Sequence, residues 1–300
     1  MLGEQSKNLF RLQEFLNVDL NIFGNIVYVH GNKEKVKKTV ILLNKVYESI
    51  LNNDGKNEYY ELSDFLMELK MLDDSKSVIK NNNDQLILKT WKKSIVPKSL
   101  GQKKYLNALN ESDLVFGLGP AGTGKSYLAV AKGVEMMKKG EIDKIILSRP
   151  AVEAGENLGF LPGDMKEKVD PYLRPIYDAL YEMMPYDRVE KKIQNGEIEI
   201  APLAFMRGRT FQNSCIIIDE AQNTTPVQMK MILTRIGKGS KMIVNGDLSQ
   251  TDIPKGMESG LAKAVKTLFG IDLIKVIELT EKDVIRHPIV TEIIKAYGKN

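Results

Sequence analysis

Cysteine is almost absent from this 300-residue chain: Cys215 is the only one, so no intrachain disulfide can form. It sits inside an apolar run, where a small buried side chain is expected rather than a reactive thiol. Histidine is nearly as scarce. His30 and His287 are the only two, which leaves a clustered Cys/His zinc site without ligands. No run approaches the roughly 20 apolar residues that a membrane span needs. Residues 1–20 carry charges throughout and lack the apolar stretch of a signal peptide. The chain is therefore expected to be cytoplasmic, with no membrane contact. Charge of one sign is also lacking: the formal net charge is +4, with acids and bases interleaved, which permits contact with a polyanion without demanding it. What remains, 43% hydrophobic and 27% charged residues, is ordinary for a soluble globular protein and enough for one large domain and one small.

The first segment reads as a small α+β unit. Residues 18–23 and 26–30 are strand-like and are joined at Gly24-Asn25, a hairpin turn. Asn32 fits an N-cap, and Val36, Val40, Leu43, Val46, Tyr47 and Ile50 then recur at helical spacing. A second amphipathic helix is expected over 59–72, from Leu62, Phe65, Leu66 and Leu69. Between Asp73 and Gln102 the character changes. Asn81-Asn82-Asn83-Asp84 and Pro97 break any long period, and Lys89, Lys92, Lys93 and Lys98 crowd around Trp91. This stretch reads as a linker with a short strand at 86–88, either solvated and anchored by the tryptophan or in touch with RNA. The expected domains are 1–73, a linker at 74–101, and 102–300.

From Gln102 onward strands and helices alternate. Strand-like runs lie at 114–118, 144–147, 197–200, 216–218, 242–244 and 274–278; helical ones at 125–139, 171–184, 226–235, 256–268 and 288–297. Short apolar strands alternating with helices argue for an α/β fold with a mainly parallel sheet covered on both faces.

Gly119-Pro120-Ala121-Gly122-Thr123-Gly124-Lys125-Ser126 fits the phosphate-loop pattern, with an apolar strand before it and a helix after it. Glycines let backbone N–H groups turn inward around phosphate oxygens at the positive end of the helix. Lys125 is expected to reach the β- and γ-phosphates and the Ser126 hydroxyl to hold Mg²⁺; Gly119 through Ser126, with Tyr127, are the residues expected to bind ATP. Cys215-Ile216-Ile217-Ile218-Asp219-Glu220 is a buried strand ending in two acids. Asp219 suits the metal held by Ser126, and Glu220 suits a general base for the attacking water. In Met242-Ile243-Val244-Asn245-Gly246-Asp247-Leu248-Ser249-Gln250, Gln250, with Asn245 or Asp247, is placed to contact the γ-phosphate or the water, unless the Asn245-Gly246-Asp247 segment is a plain turn. Gln102 either reads the adenine N6/N7 edge or is a surface glutamine. An arginine is expected at the γ-phosphate, often supplied in trans. Arg149, Arg174, Arg207, Arg209, Arg235 and Arg286 are candidates, each equally open to a surface or salt-bridge role; Arg207 and Arg209 flank Gly208 and could converge on one phosphate, and Arg286 lies at a loop-to-helix transition.

Ser148-Arg149-Pro150-Ala151-Val152-Glu153-Ala154-Gly155-Glu156-Asn157-Leu158-Gly159-Phe160-Leu161-Pro162-Gly163-Asp164 is a distinctive run. Together with the phosphate loop, Arg207-Gly208-Arg209-Thr210, Ile218-Asp219-Glu220-Ala221-Gln222-Asn223, Gly246-Asp247-Leu248-Ser249-Gln250-Thr251-Asp252 and Arg286-His287-Pro288, it closely resembles the PhoH-like ATPases. The chain is also similar to a single motor core of superfamily 1 helicases, where the Gly-Asp-x-x-Gln element serves as a motif. The resemblance implies a RecA-like P-loop NTPase fold, use of ATP and Mg²⁺, a cytoplasmic location and a link to RNA metabolism, as a helicase-like or RNA-processing remodeller. A nucleotide-dependent regulatory switch that binds protein partners is the alternative. The N-terminal unit is similar to a KH-like half-module, but Gly24 and Gly31 do not form the G-x-x-G loop that clamps a nucleic-acid backbone, so an interaction or oligomerisation role is equally in view. With no second RecA-like domain, a homo-oligomeric ring would let a neighbour donate the arginine.

Overall fold

The computed structural model describes residues 7–24, 26–52, 86–150, 165–251 and 258–285. The chain forms two compact units, Met1–Asp84 with Lys98–Leu100, and Gln85–Pro97 with Gly101–Asn300.

In the first unit, helix α1 (Lys7–Leu16) leads into strands β1 (Asp19–Phe23) and β2 (Ile26–His30), followed by helix α2 (Lys33–Asn52). The strands pair antiparallel, with Phe23 opposite Ile26. As expected, Asn32 starts α2: its Oδ1 accepts from Glu34 N at 3.0 Å. Leu12, Val18, Leu20, Leu42 and Val46 make the core. Helix α1 was not expected from the sequence, although Leu9, Leu12 and Leu16 carry helical spacing. The helix expected over 59–72 and Asn25 of the turn lie outside the described residues.

The second unit is an α/β layer structure. A short ladder, β3 (Leu88–Lys89) with β4 (Ser94–Ile95), precedes helix α3 (Leu100–Glu111) and the sheet proper. The order then runs β5 (Leu114–Leu118), α4 (Lys125–Lys139), β6 (Lys144–Ser148), α5 (Met165–Met183), α6 (Tyr186–Gln194), β7 (Ile198–Ile200), β8 (Ser214–Ile218), α7 (Pro226–Leu233), β9 (Lys241–Gly246), α8 (Gly260–Leu268) and β10 (Ile274–Glu278). Six strands form one sheet in the order β10-β5-β9-β8-β6-β7, and every pair is parallel. This is the RecA-like arrangement: β9 lies between β5, which leads to the phosphate loop, and β8, which ends at the two acids.

Strand parity divides the core. Val115, Ile145, Leu147, Cys215, Ile217 and Ile243 pack with residues of α3 to α6 on one face. Phe116, Leu118, Ile146, Ile216, Ile218, Met242 and Val244 pack under α7 and α8 on the other. Both faces are covered, so the strands read as unbroken apolar runs. Three helical details differ from the sequence reading. Helices α3 and α6 are additional to the helical runs read from the sequence. Helix α5 begins at Met165, so Pro171 lies within it rather than at its start. The segment read as linker also departs, since residues 86–97 pack as part of this unit. Trp91 leans on the core under the cations Arg188 and Lys192, Lys92 N bonds Met183 O, and Lys93 pairs with Glu182. The tryptophan is thus held by cations of its own chain. The helix expected over 288–297 lies outside the described residues.

Candidate functional site

The phosphate loop lies between β5 and α4. Gly119, Gly122 and Gly124 have φ of 139°, 84° and 82°, a left-handed series that turns successive N–H groups to one side. A Cβ at Gly119 would collide with the Leu279 carbonyl, and one at Gly124 would lie 3.0 Å from Gln102 Nε2; only glycine fits this cradle. Lys125 Nζ donates to the carbonyls of Gly119 (2.6 Å) and Pro120 (2.8 Å) and to Thr123 Oγ1 (3.3 Å). Burial lowers the Lys125 pKa, against the pull of Asp219, Asp247 and Glu220.

The carbonyls of the loop are taken up by neighbouring elements. Gln102, buried at the start of α3, donates its Nε2 to Thr123 O at 2.9 Å. Gln102 therefore sits at the loop, with its amide donor engaged by the protein itself. From the far end of the unit, Ile285 N donates to Gly122 O at 3.0 Å. Asp283, also buried, accepts from Gly101 N at 3.0 Å and from Thr280 N at 2.8 Å. Arg286 follows directly in sequence but lies outside the described residues, as do Glu153, Glu156 and most of the distinctive run.

Asp219 directly follows β8, against the loop. Its Oδ1 accepts from Ser126 Oγ at 2.5 Å across 93 residues of chain, and burial raises its pKa, opposed by that bond. Glu220 follows in the left-handed region, φ 52° and ψ 39°, a strained conformation for a residue with a side chain. Both of its oxygens are engaged: Arg149 Nη2 donates to Oε1 at 3.4 Å and Gln222 Nε2 to Oε2 at 2.6 Å. Asp247 follows β9, and its Oδ1 accepts from Ser249 N and Oγ at 2.9 and 2.6 Å. Its Oδ2 is buried with no hydrogen-bond partner. Gln250 is exposed on the same turn, its N bonding Asp247 O.

These groups meet in one cavity of about 520 Å³, within the usual range for small-molecule sites. Its wall includes Lys125, Ser126, Asp219, Glu220, Asp247 and Gln250, with Arg149 and, from α5, Ile176 and Glu182. Tyr127 lines it too, with its hydroxyl donating to Glu182 Oε2 at 3.2 Å. Asn245 is the exception among the third-strand candidates. It shares strand parity with Ile243, faces α3, and its Oδ1 accepts from Tyr105 Oη at 2.6 Å in the core. The arginines separate as well. Arg209 does not converge with Arg207: it pairs with Glu199 at 2.5 and 2.7 Å and lies over the Phe211 ring. Arg235 bonds the carbonyls of Met231 and Arg209. Arg174 and Arg207 are exposed, and of the described candidates Arg149 is the one in the cavity wall. Sequence reasoning gave no role to Gln222, Asp283 or the α5 wall. Gln222 alone had a signal, its place beside the two acids.

Known proteins resemble this chain closely. The sequence profile of the family described as PhoH-like protein matches residues 94–298. A PhoH-like protein of Bacillus subtilis (strain 168) is 50% identical over 301 residues, covering all of this chain and 93% of the relative. One from Mycobacterium tuberculosis (strain ATCC 25618 / H37Rv) is 45% identical over 299 residues, covering all of this chain and 84% of the relative. Among solved structures, the Pif1 helicase from Candida albicans aligns with a TM-score of 0.36 and 15% identity, over 66% of this chain and 42% of its own. Among the described residues no helix is long and apolar enough to cross a membrane.

Proposed function

The chain belongs to the PhoH family, and on that premise we propose that it hydrolyses ATP with Mg²⁺ and couples turnover to RNA. The observation that carries the reading is the meeting of Ser126 Oγ and Asp219 Oδ1 at 2.5 Å, with Glu220 held beside them. A hydroxyl and a buried carboxylate are hard-oxygen donors of the kind Mg²⁺ takes, and the nearby Asp247 Oδ2 has acceptor capacity to spare. Ser126 and Asp219 would hold the ion, which when bound neutralises charge on the phosphates.

The chain's own groups divide the remaining work. The N–H groups of the Gly119–Ser126 loop cradle phosphate, and Lys125 turns its ammonium from the loop carbonyls onto the β- and γ-phosphates. Glu220 takes a proton from water as the water oxygen bonds to the γ-phosphorus and the bond to the ADP oxygen breaks. Gln250, on the cavity wall, orients the water or the γ-phosphate. Tyr127, on the cavity wall, is proposed to contact the nucleotide, and Gln102 to act through its bond to the loop. Arg286, one residue beyond the bond from Ile285 to the loop, is the arginine proposed to meet developing charge, in its own subunit or in a neighbour of a ring.

RNA coupling, a homo-oligomeric ring, a cytoplasmic location and an N-terminal KH-like module that binds RNA or a processing partner complete the reading. They rest on the family resemblance, and the net charge of +4 is compatible with them. Turnover measured with and without single-stranded RNA is the test; stimulation and salt-sensitive binding are expected. Glu220→Gln should lower turnover by about 10²–10⁴-fold while retaining ATP. Unchanged turnover in that variant would instead favour a nucleotide-dependent regulatory switch.

A further inference from the structure

We propose that Gln222 is a positioning residue that ties the carboxylate of Glu220 to the turn after β9, so that the base and the Gln250 turn are set together. The inference rests on the reading of Glu220 as the base. Gln222 is buried, in a single turn of 3-10 helix (Ala221–Asn223) directly after the two acids. Its carboxamide is used at both ends. Nε2 donates to Glu220 Oε2 at 2.6 Å, and Oε1 accepts from Asp247 N at 3.1 Å. Its backbone is fixed as well, since Gln222 O accepts from Ser259 Oγ, the N-cap of α8, at 2.8 Å.

Few side chains could fill this place. The donor must face a carboxylate and the acceptor a backbone N–H, and the carboxamide of Gln222 supplies one of each from adjacent atoms. The space is closed on the strand side. A Cβ on Gly246 would come within 2.7 Å of Gln222 Oε1, so the glycine lets the amide reach the turn. The turn is stiff in itself, with Asp247 Oδ1 bonded by Ser249 and Gln250 N bonded to Asp247 O. A displacement of Gln250 along this turn therefore reaches Asp247 N, then Gln222, then the Glu220 oxygen. Arg149, directly after β6, donates to the other Glu220 oxygen at 3.4 Å. With Gln222 removed, Glu220 would keep only this longer, partly exposed contact and the freedom of its rotamers.

The full-length chain tests this with Gln222→Met, which keeps volume and loses both bonds, and Gln222→Glu, which keeps the acceptor for Asp247 N and repels Glu220. Three quantities are read for each: the single-turnover rate, the dissociation constant of a fluorescent ATP analogue, and the melting temperature. The expected result is a 10- to 100-fold slower turnover in both variants with the dissociation constant within about twofold. Gln222→Glu protects against a failure of Gln222→Met to fold, because it leaves no buried N–H orphaned. A double-mutant cycle assigns the route: Gln222→Glu added to Glu220→Gln should slow the reaction no further. A full additional loss in the double variant, a weakened dissociation constant with unchanged turnover, or wild-type turnover in either single variant overturns the proposal. If Glu220→Gln alone leaves turnover unchanged, the reading of Glu220 as base fails first, and separately.

Discussion

Gly124 shows at the scale of one residue why the phosphate loop is legible in the sequence. Its φ of 82° is a conformation that only glycine adopts without cost, and its missing Cβ leaves room for Gln102. Gly124→Ala should therefore lose about 1–2 kcal/mol, a fall of roughly 2–8 °C in melting temperature, and should abolish the further rise on adding ATP and Mg²⁺. Thermal denaturation with and without nucleotide measures both. The arginines were not legible in this way, because sequence shows a charge but not its partner. Arg209 was as open to phosphate as to a salt bridge, and Glu199 engages it through two bonds. Those bonds hold the Glu199 carboxyl below the usual range, so the pair stabilises above the ordinary carboxylate range and the gain is lost as pH falls through the depressed value. Both side chains are partly exposed, which limits the gain to about 1 kcal/mol or less. Melting curves of the parent and Glu199→Gln should differ at neutral pH and converge in acid.

Helix α3 was missed at the scale of the element. Its apolar positions are few, Tyr105, Leu106, Ala108 and Leu109 being the buried ones, so Ser99, placed as an N-cap would be, had little helical period behind it to mark. The structure gives it two tasks, carrying Gln102 to the loop and covering the Asn245 side of β9. Strand parity could have assigned Asn245 to that face, as it alternates with Val244, but not that a tyrosine from α3 would meet it. Burial pushes the Tyr105 phenol up, so it stays protonated and donates. Asn245 Nδ2 is already without a partner; Tyr105→Phe would orphan Oδ1 as well, at about 1–3 kcal/mol. Nucleotide affinity should stay within about twofold, since neither residue lines the cavity. Chemical denaturation and equilibrium binding together check the separation of the two effects.

The whole molecule holds two compact units, each with a core of its own. Calorimetry should resolve two transitions. Only the one belonging to the larger unit should rise with ATP and Mg²⁺, by about 2.7 kcal/mol at a hundredfold excess over the dissociation constant. A single transition, or a shift of both, would show that the units melt together. The alternation of strands and helices was readable at this scale, because buried parallel strands and amphipathic helices have different periods. The boundary between units was not: residues 86–97, polar and punctuated by Pro97, look like linker until Trp91 is seen against the core.

The clasp of the phosphate loop by late elements also has a consequence for synthesis. Gly101 and Asp283 are bonded across 182 residues of chain, and Gly122 is bonded by Ile285. At roughly 5–20 residues per second on the ribosome, the loop waits about 10–40 seconds for the strand and turn that wall it in. A nascent chain arrested before β10 would present the motif for phosphate without the geometry to grip it.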